Sequence, residues 1–451
     1  MSSLLKQHHD IISDITYVKS IAFDKQFYIT KQQKVGSIKH RSRFYLVSII
    51  ESKFNELNEY LQERQYRIDT FNKLLTKRLR ADYNLSLDSF KLLRQLGEGG
   101  YGTVFLAYHI DTNEYVALKA IKKSILIETN EQNTIISERQ YAFALHHPNI
   151  VNKIDIRYLV SKIDEMISTK VQLITSFKDN EYVYLVFEWL QGGDLYSLMS
   201  YQQLTELQAK FYSAQIVMAL DYLHGCKVVF RDLKPENIVL TQRGYIKLID
   251  LGLAKIIRGY SKTFCGTPHY IAPEVIMHRP YTVSPDYWTL GIIIHEMVTG
   301  DAPYDRTYRI ESNTNETESI EYEYDYRSKS TIENDTSDTI QSSSKHYNMY
   351  LRIINGCASM NLKHVTRNCV SIIRNLLQYN IEKRLGCGIR GTLDIIEHPW
   401  FNQINFWILY QQKYIAPFIP IRKYIIKDQY ENETILKFTA KNQYENEFNE
   451  F

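Results

Sequence analysis

One eight-residue run constrains this chain more than any other: Phe230-Arg231-Asp232-Leu233-Lys234-Pro235-Glu236-Asn237. It puts a carboxylate, a cation and an amide on one short loop. Phosphoryl transfer asks for that set: a carboxylate (Asp232) to orient and deprotonate the attacking hydroxyl, a cation (Lys234) for the γ-phosphate, and a metal ligand (Asn237) beside them. Eighteen residues beyond Asp232, Asp250-Leu251-Gly252 closes the apolar run Tyr245 to Ile249. Asp250 there would bind Mg²⁺ bridging the β- and γ-phosphates. Alone, Asp-Leu-Gly is a common turn; its distance behind the loop gives it meaning.

Upstream, Leu96-Gly97-Glu98-Gly99-Gly100-Tyr101-Gly102-Thr103-Val104 lies between the apolar runs Leu92-Leu93 and Phe105-Leu106-Ala107. A glycine loop that joins strand to strand can cover ATP phosphates through backbone N–H groups, whereas one that opens a helix suggests a dinucleotide fold. An ordinary tight hairpin would read the same way by itself. Val116-Ala117-Leu118-Lys119 then sets a Lys among apolar neighbours. A buried ammonium needs a partner, and Glu138 on the following helical stretch is the natural one, holding Lys119 on the α- and β-phosphates. Two unrelated surface charges are the plainer alternative.

With 451 residues the chain exceeds one usual hydrophobic core, so about two lobes plus tails are expected. A net charge of +3 is too small to imply a nucleic-acid partner. The five cysteines are scattered without CxxC spacing, which argues against a disulfide framework or zinc site and for a reducing, cytoplasmic protein, with the nucleus as a second compartment. No stretch approaches the roughly 18 apolar residues of a membrane span.

Residues 1–86 read as a helical extension: from Ser42 to Arg80, Phe44, Val47, Phe54, Leu57, Leu61, Ile68, Phe71 and Leu75 recur at three- and four-residue steps. Arg64, Arg67, Lys73, Lys77, Arg78 and Arg80 make its later part basic, either a solvated face or a docking surface. Short apolar runs broken by glycine follow, predicting strands over Leu92–Leu96, Thr103–Tyr108, Tyr115–Ile121 and Val183–Glu188, with helices over Thr129–Leu145 and Leu204–His224. A catalytic domain over 87–401 carries two insertions, about 152–170 and 305–347, the second poor in apolar residues and expected to be a disordered loop. Residues 402–451 form a tail.

Together with Cys265-Gly266-Thr267-Pro268-His269-Tyr270-Ile271-Ala272-Pro273-Glu274, these runs resemble the protein kinase superfamily. The chain is similar to its basophilic AGC group, most of all to the cyclic-AMP-dependent catalytic subunits, through Phe211 to Val217, Arg374 to Gln378, Ala416 to Pro420 and a terminal Phe448-Asn449-Glu450-Phe451. The resemblance implies an α+β, bilobal fold: a small β-rich lobe with one key helix, a larger helical lobe, and a C-terminal tail wrapping the small lobe. It implies ATP and Mg²⁺ as cofactors and protein substrates with arginine upstream of the target Ser. It implies an adenine-binding hinge at Glu188, Trp189 and Leu190 with Ala117 near the base and Phe187 as gatekeeper, a further nucleotide contact at Glu236, and buried anchors in Glu274 with Arg384 and in Asp286. Phosphosites would fall at Thr263, clamped by Arg231 and Lys255, and at Thr439, which implies an upstream kinase or autophosphorylation. Asp194, Glu236 and Glu296 would read upstream arginines, and Phe264, Pro268 and Ile271 would line a downstream apolar pocket.

Several positions depart from the pattern: Leu251 for Phe, Thr134 for a phosphate-contacting His, His269 for Glu, Lys427 for Phe, and Asp194 for the longer Glu, which should relax selection three positions upstream. The N-terminal 86 residues are too few for paired cyclic-nucleotide domains, so a separate inhibitory regulatory subunit is the implied partner. Two alternatives stand beside this reading: a nuclear-Dbf2-related kinase whose basic helix binds a coactivator, and a pseudokinase scaffold, the latter opposed by Lys119, Asp232, Asn237 and Asp250 all being present.

Overall fold

The computed structural model describes residues 40–75, 85–99, 102–150, 176–304, 347–356, 362, 364–420 and 448. Gly100, Tyr101, Lys427, Thr439 and both insertions, apart from Tyr347, lie outside these residues. The chain divides into two units, Met1–Glu59 and Tyr60–Phe451. In the first, the described residues are the opening turns of helix α1 (His40–Leu75).

The second unit is α+β. Its small lobe holds β1 (Phe90–Gly99), β2 (Gly102–His109), β3 (Glu114–Lys122), short α2 (Lys123–Glu128), α3 (Gln132–Ala144), β4 (Ser176–Lys178) and β5 (Tyr182–Glu188). The strands form one antiparallel sheet in the order β1-β2-β3-β5-β4. Alternation sends Phe105, Ala107, Val116, Leu118 and Val186 into a core closed by the stacked rings of Phe90, Phe177 and Tyr184. A second core on the α3 side joins Ile121, Leu126, Ile135, Val183 and Leu185 to Phe448 of the tail, which is fully buried and accepts a 2.6 Å bond from Lys178 Nζ at its carbonyl. Phe448 is thus seated in the small lobe. The helix expected from Thr129 starts later, at Gln132, because Asn130 takes a left-handed turn (φ 56°) that separates α2 from α3.

The large lobe contains α4 (Leu195–Tyr201), α5 (Glu206–Gly225), β6 (Val228–Val229), β7 (Ile238–Leu240), β8 (Ile246–Leu248), β9 (Lys255–Ile256), α6 (Pro273–Ile276), α7 (Ser284–Thr299), α8 (Arg367–Leu376), α9 (Leu393–Ile396) and α10 (Phe406–Tyr410). Thr205 and Gln208 form a capping box that starts α5. α5 and α7 are buried on nearly every face and make the centre of the lobe. Glu274 and Arg384 pair bidentately there, at 2.6 and 2.9 Å, with the guanidinium 5.0 Å from the Trp288 ring centroid. Losing either partner would strand the other charge, a cost of about 3–5 kcal/mol.

Candidate active site

β3 carries Lys119 into the cleft opposite Val104, and α3 carries Glu138 toward it. Lys119 Nζ lies 2.9 Å from Glu138 Oε1 and 3.2 Å from Asp250 Oδ1. Burial alone would lower the Lys119 pKa, but the two carboxylates outweigh it and raise it above the usual lysine range, so the side chain stays charged. The Lys119 charge in turn holds the Asp250 carboxyl below its usual range. Asp250 is in the left-handed region (φ 62°), a strained turn that brings its side chain back over Gly252 N at 3.0 Å.

On the loop between β6 and β7, the Asp232 carboxylate collects three donors. Asn237 Nδ2 reaches Oδ2 at 2.9 Å, Lys234 Nζ lies 3.0 Å from Oδ2, and Thr267 Oγ1 donates to Oδ1 at 2.8 Å. Thr267 also accepts from Lys234 at 3.1 Å, linking the loop to the run Cys265 to Glu274. Asp286 holds the loop's backbone, accepting from the N–H groups of Phe230 and Arg231 at 2.9 Å each, while His224 Nε2 meets the same carboxylate at 2.8 Å.

The glycines of the upstream loop do different work. A Cβ on Gly102 would strike the Ala120 carbonyl oxygen at 2.2 Å, so this glycine permits close packing of β2 on β3, whereas a Cβ on Gly97 meets nothing within 4 Å. Gly97 pairs with Val104, Glu98 with Thr103 and Gly99 with Gly102, and Leu96 is partly exposed on the same strand. At the other wall, Ala117 stands opposite Phe187, and Glu188 pairs with Val116 before the chain passes through Trp189 and Leu190. The Glu188 side chain forms an ion pair with Lys247 on β8, so what the hinge offers a base is backbone.

The cleft's donors suit a Mg²⁺ nucleotide. Both hydrogen bonds of the Asn237 amide to Asp232 use Nδ2, so its carbonyl oxygen and the half-exposed Asp250 carboxylate would make two hard oxygen ligands. Mg²⁺ takes few protein ligands and completes its shell with phosphate and water.

Around this centre the predicted recognition residues separate. Glu236 is exposed on the turn Pro235–Asn237, and Glu296 accepts from Tyr270 OH at 2.9 Å. Burial, then the Glu296 and Glu236 charges, push the Tyr270 hydroxyl above its usual range. Asp194 is differently engaged: it caps α4, with Oδ1 accepting from Ser197 N at 2.7 Å and Oδ2 from Ser197 Oγ at 3.1 Å. Phe264 is 45% exposed and Pro268 half-buried, but Ile271 is buried, as are Tyr270 and Ala272. A ligand therefore meets Phe264 and Pro268 first. Thr263 is exposed, its carbonyl accepting from Tyr281 OH at 2.8 Å. Arg231 donates to Leu253 O at 2.7 Å and touches Tyr281 OH at 3.5 Å, and Lys255 is exposed on β9. The Thr134 hydroxyl turns to Glu131 in its own first turn.

With this geometry the comparisons agree. Residues 90–401 match the protein kinase domain. The chain belongs to the protein kinase family. It is of the AGC type, related to the cyclic-nucleotide-dependent kinases. It is 30% identical over 378 residues (83% of this chain, 34% of the relative) to a cGMP-dependent protein kinase, isozyme 2 forms cD5/T2, of Drosophila melanogaster. It is 32% identical over 335 residues (74% and 43%) to a cAMP-dependent protein kinase catalytic subunit of Dictyostelium discoideum. It is 30% identical over 338 residues (74% and 70%) to cAMP-dependent protein kinase type 3 of Saccharomyces cerevisiae. The chain thus spans about a third of the Drosophila protein's length. A protein kinase domain implies use of ATP. Among the described residues no helix is long and apolar enough to cross a membrane.

Proposed function

We propose that this chain is a Ser/Thr protein kinase that moves the γ-phosphate of Mg-ATP onto hydroxyls preceded by arginine, under a separate inhibitory regulatory subunit and in the cytoplasm. The observation that carries the reading is the Asp232 carboxylate, fixed by Lys234, Asn237 and Thr267 with its side chain 12% exposed. Asp232 orients that hydroxyl and takes its proton; Lys234 steadies the transferred phosphoryl group; Lys119, locked by Glu138, grips the nucleotide phosphates. Asp250 and Asn237 would hold Mg²⁺, which would supply charge neutralisation for the nucleotide phosphates. Glu236 and Glu296 read arginine upstream of the target, and Phe264 and Pro268 receive an apolar residue downstream. Phosphate on Thr263, placed by an upstream kinase or the enzyme itself, would recruit Arg231 and Lys255.

The name of the Dictyostelium relative, a catalytic subunit, supports the regulatory-subunit part of this reading. The coactivator alternative loses ground because Arg64 and Arg67 of α1 are engaged within the kinase unit; Lys73 is exposed, and Lys77, Arg78 and Arg80 lie outside the described residues. The test is transfer from γ-labelled ATP to Arg-Arg-x-Ser-Ile, Lys-Lys-x-Ser-Ile and Ala-Ala-x-Ser-Ile peptides by the purified full chain. The first should lead by kcat/KM, with label on serine. Equal values would remove the arginine assignment, and no transfer to any peptide or to histone would remove the enzyme.

A further inference from the structure

Residues 261–267, which carry Thr263 and end at the Thr267 hydroxyl on Asp232, are fastened along their length. Ser261 and Tyr281 exchange two backbone hydrogen bonds, Ser261 N to Tyr281 O and Tyr281 N to Ser261 O, at 2.9 Å each. Both residues are buried. Ser261 Oγ accepts from Thr263 N at 3.3 Å and donates to Thr263 Oγ1 at 3.1 Å, a local turn that fixes the threonine. Gly266 sits at φ 115°, where any side chain is strained, and a Cβ there would stand 3.0 Å from the Arg231 carbonyl oxygen.

The Tyr281 hydroxyl joins this segment to the Asp232 loop. It donates to the Thr263 carbonyl oxygen at 2.8 Å, and Arg231 Nη1 lies 3.5 Å away on its accepting side. A phenol donates one hydrogen bond and accepts others, so both of its roles are filled. Arg231 is fixed independently: Nε donates to Leu253 O at 2.7 Å, and its backbone N–H to Asp286 Oδ1 at 2.9 Å. Past Thr267, the Tyr270 carbonyl accepts from Thr289 Oγ1 of α7 at 2.9 Å.

Of these bonds only the one from Ser261 uses the Thr263 hydroxyl; the others come from Tyr281, Asp232, Lys234 and Thr289. A phosphate orders a segment by giving nearby cations an anion to pair with. Here the order is built from neutral hydroxyls and backbone, and on α3 the Thr134 hydroxyl is committed to Glu131. We propose that Tyr281 is a positioning residue for the peptide substrate: its hydroxyl and backbone order residues 261–267 against the Asp232 loop, so that transfer does not require phosphate on Thr263. The kinetic consequence rests on the kinase reading; the ordering of the segment does not.

The experiment uses the full chain, treated with phosphatase and shown by mass spectrometry to carry a bare Thr263, beside Thr263→Val, which cannot be rephosphorylated during the assay, and Tyr281→Phe, which keeps the ring and both backbone bonds. Measured are kcat, peptide KM and ATP KM, with hydrogen exchange over residues 261–267 and in α5. The phosphatase-treated chain and Thr263→Val should keep kcat/KM within about threefold of the untreated chain, the scale of one exposed neutral hydrogen bond. Tyr281→Phe should raise peptide KM, and speed exchange over 261–267, by about two- to tenfold, with ATP KM and α5 exchange unchanged. A loss of more than about tenfold on removing the phosphate, the scale of charge-assisted bonds, would show that phosphate orders the segment and overturn the proposal. Unchanged peptide KM and unchanged exchange in Tyr281→Phe would overturn it as well. If the untreated chain transfers no phosphate, the kinase reading fails, while exchange over 261–267 in Tyr281→Phe still decides whether Tyr281 orders the segment.

Discussion

Lys119 donates to Asp250 at 3.2 Å across 131 positions of sequence, while its other contact, Glu138, comes from α3 of its own small lobe. The ammonium thus sits where β3, α3 and the strand leading to Asp250 converge. Asp250 contributes to this meeting point without core packing, its side chain being 45% exposed.

Asp250→Ala should therefore abolish transfer while the protein stays folded. Lys119 keeps Glu138, so no buried charge is orphaned, and the melting temperature should move little. The activity loss should be on the order of 10²-fold or more, as for other groups aimed at transition-state charge. Normal turnover at saturating Mg-ATP would end the assignment.

The Asp232–Thr267 contact predicts a kcat effect with no binding effect. Thr267→Val keeps the shape and removes the hydroxyl that donates to Asp232 and accepts from Lys234. A hydrogen bond to a charged group is worth about 1.5–3 kcal/mol, so kcat should fall about tenfold or more with ATP KM nearly unchanged. Asp232→Asn should fall further, by about 10²–10⁴, since it removes the proton acceptor itself. Steady-state kinetics with ATP and peptide varied separately read both; a raised ATP KM at constant kcat would contradict the role.

How far the sequence reaches is clear from these residues. Asp232, Asn237, Lys119 and Asp250 are legible because each sits in a run whose spacing is set by backbone geometry, and the antiparallel strands follow from alternation and glycine breaks. Thr267 is not legible as a partner of Asp232, since a lone hydroxyl has no spacing signal and its contact crosses 35 positions. The docking of α1 is hidden for the same reason: periodicity shows that a helix has an apolar face but not which surface covers it. For Asp194, residue type signals both a helix cap and an acidic reader, and only the Ser197 contacts separate them.

His147 predicts a pH dependence of stability. It is stacked on Tyr222 and accepts from the Asn149 N–H at Nδ1, and burial, helped by the Arg67 charge, lowers its pKa to about 3. Unfolded, it titrates near 6.5, so between pH 6.5 and 3 the unfolded chain binds the extra proton. Stability from this group is present above pH 6.5 and declines as pH falls through that window. Going from pH 7 to pH 5 it should cost about 2 kcal/mol. His147→Phe should lose that much less over the same interval in urea unfolding, the other titrating groups being common to both proteins. Identical losses would show that His147 titrates normally in the folded state.

The last prediction concerns substrate selection. The Asp194 carboxylate would have to leave Ser197 to meet a guanidinium three positions upstream of the target, giving up a cap worth about 0.5–2 kcal/mol. An exposed ion pair returns only about 0.2–1 kcal/mol, so the cap wins. Asn caps helices as well as Asp, so Asp194→Asn removes the charge and keeps the fold of α4. It should change the preference for Arg over Ala at that position by less than about twofold. Asp194→Glu, a poorer cap with a longer reach, should raise the preference instead. Glu236→Gln should cut selection two positions upstream by about two- to fivefold, because Glu236 is exposed, has no cap to give up, and offers Arg an ion pair of up to about 1 kcal/mol that an amide cannot match. The measurement is kcat/KM on peptides with Arg, Lys or Ala at each position. Collapse of the three-position preference in Asp194→Asn would show that Asp194 reads substrate despite its cap.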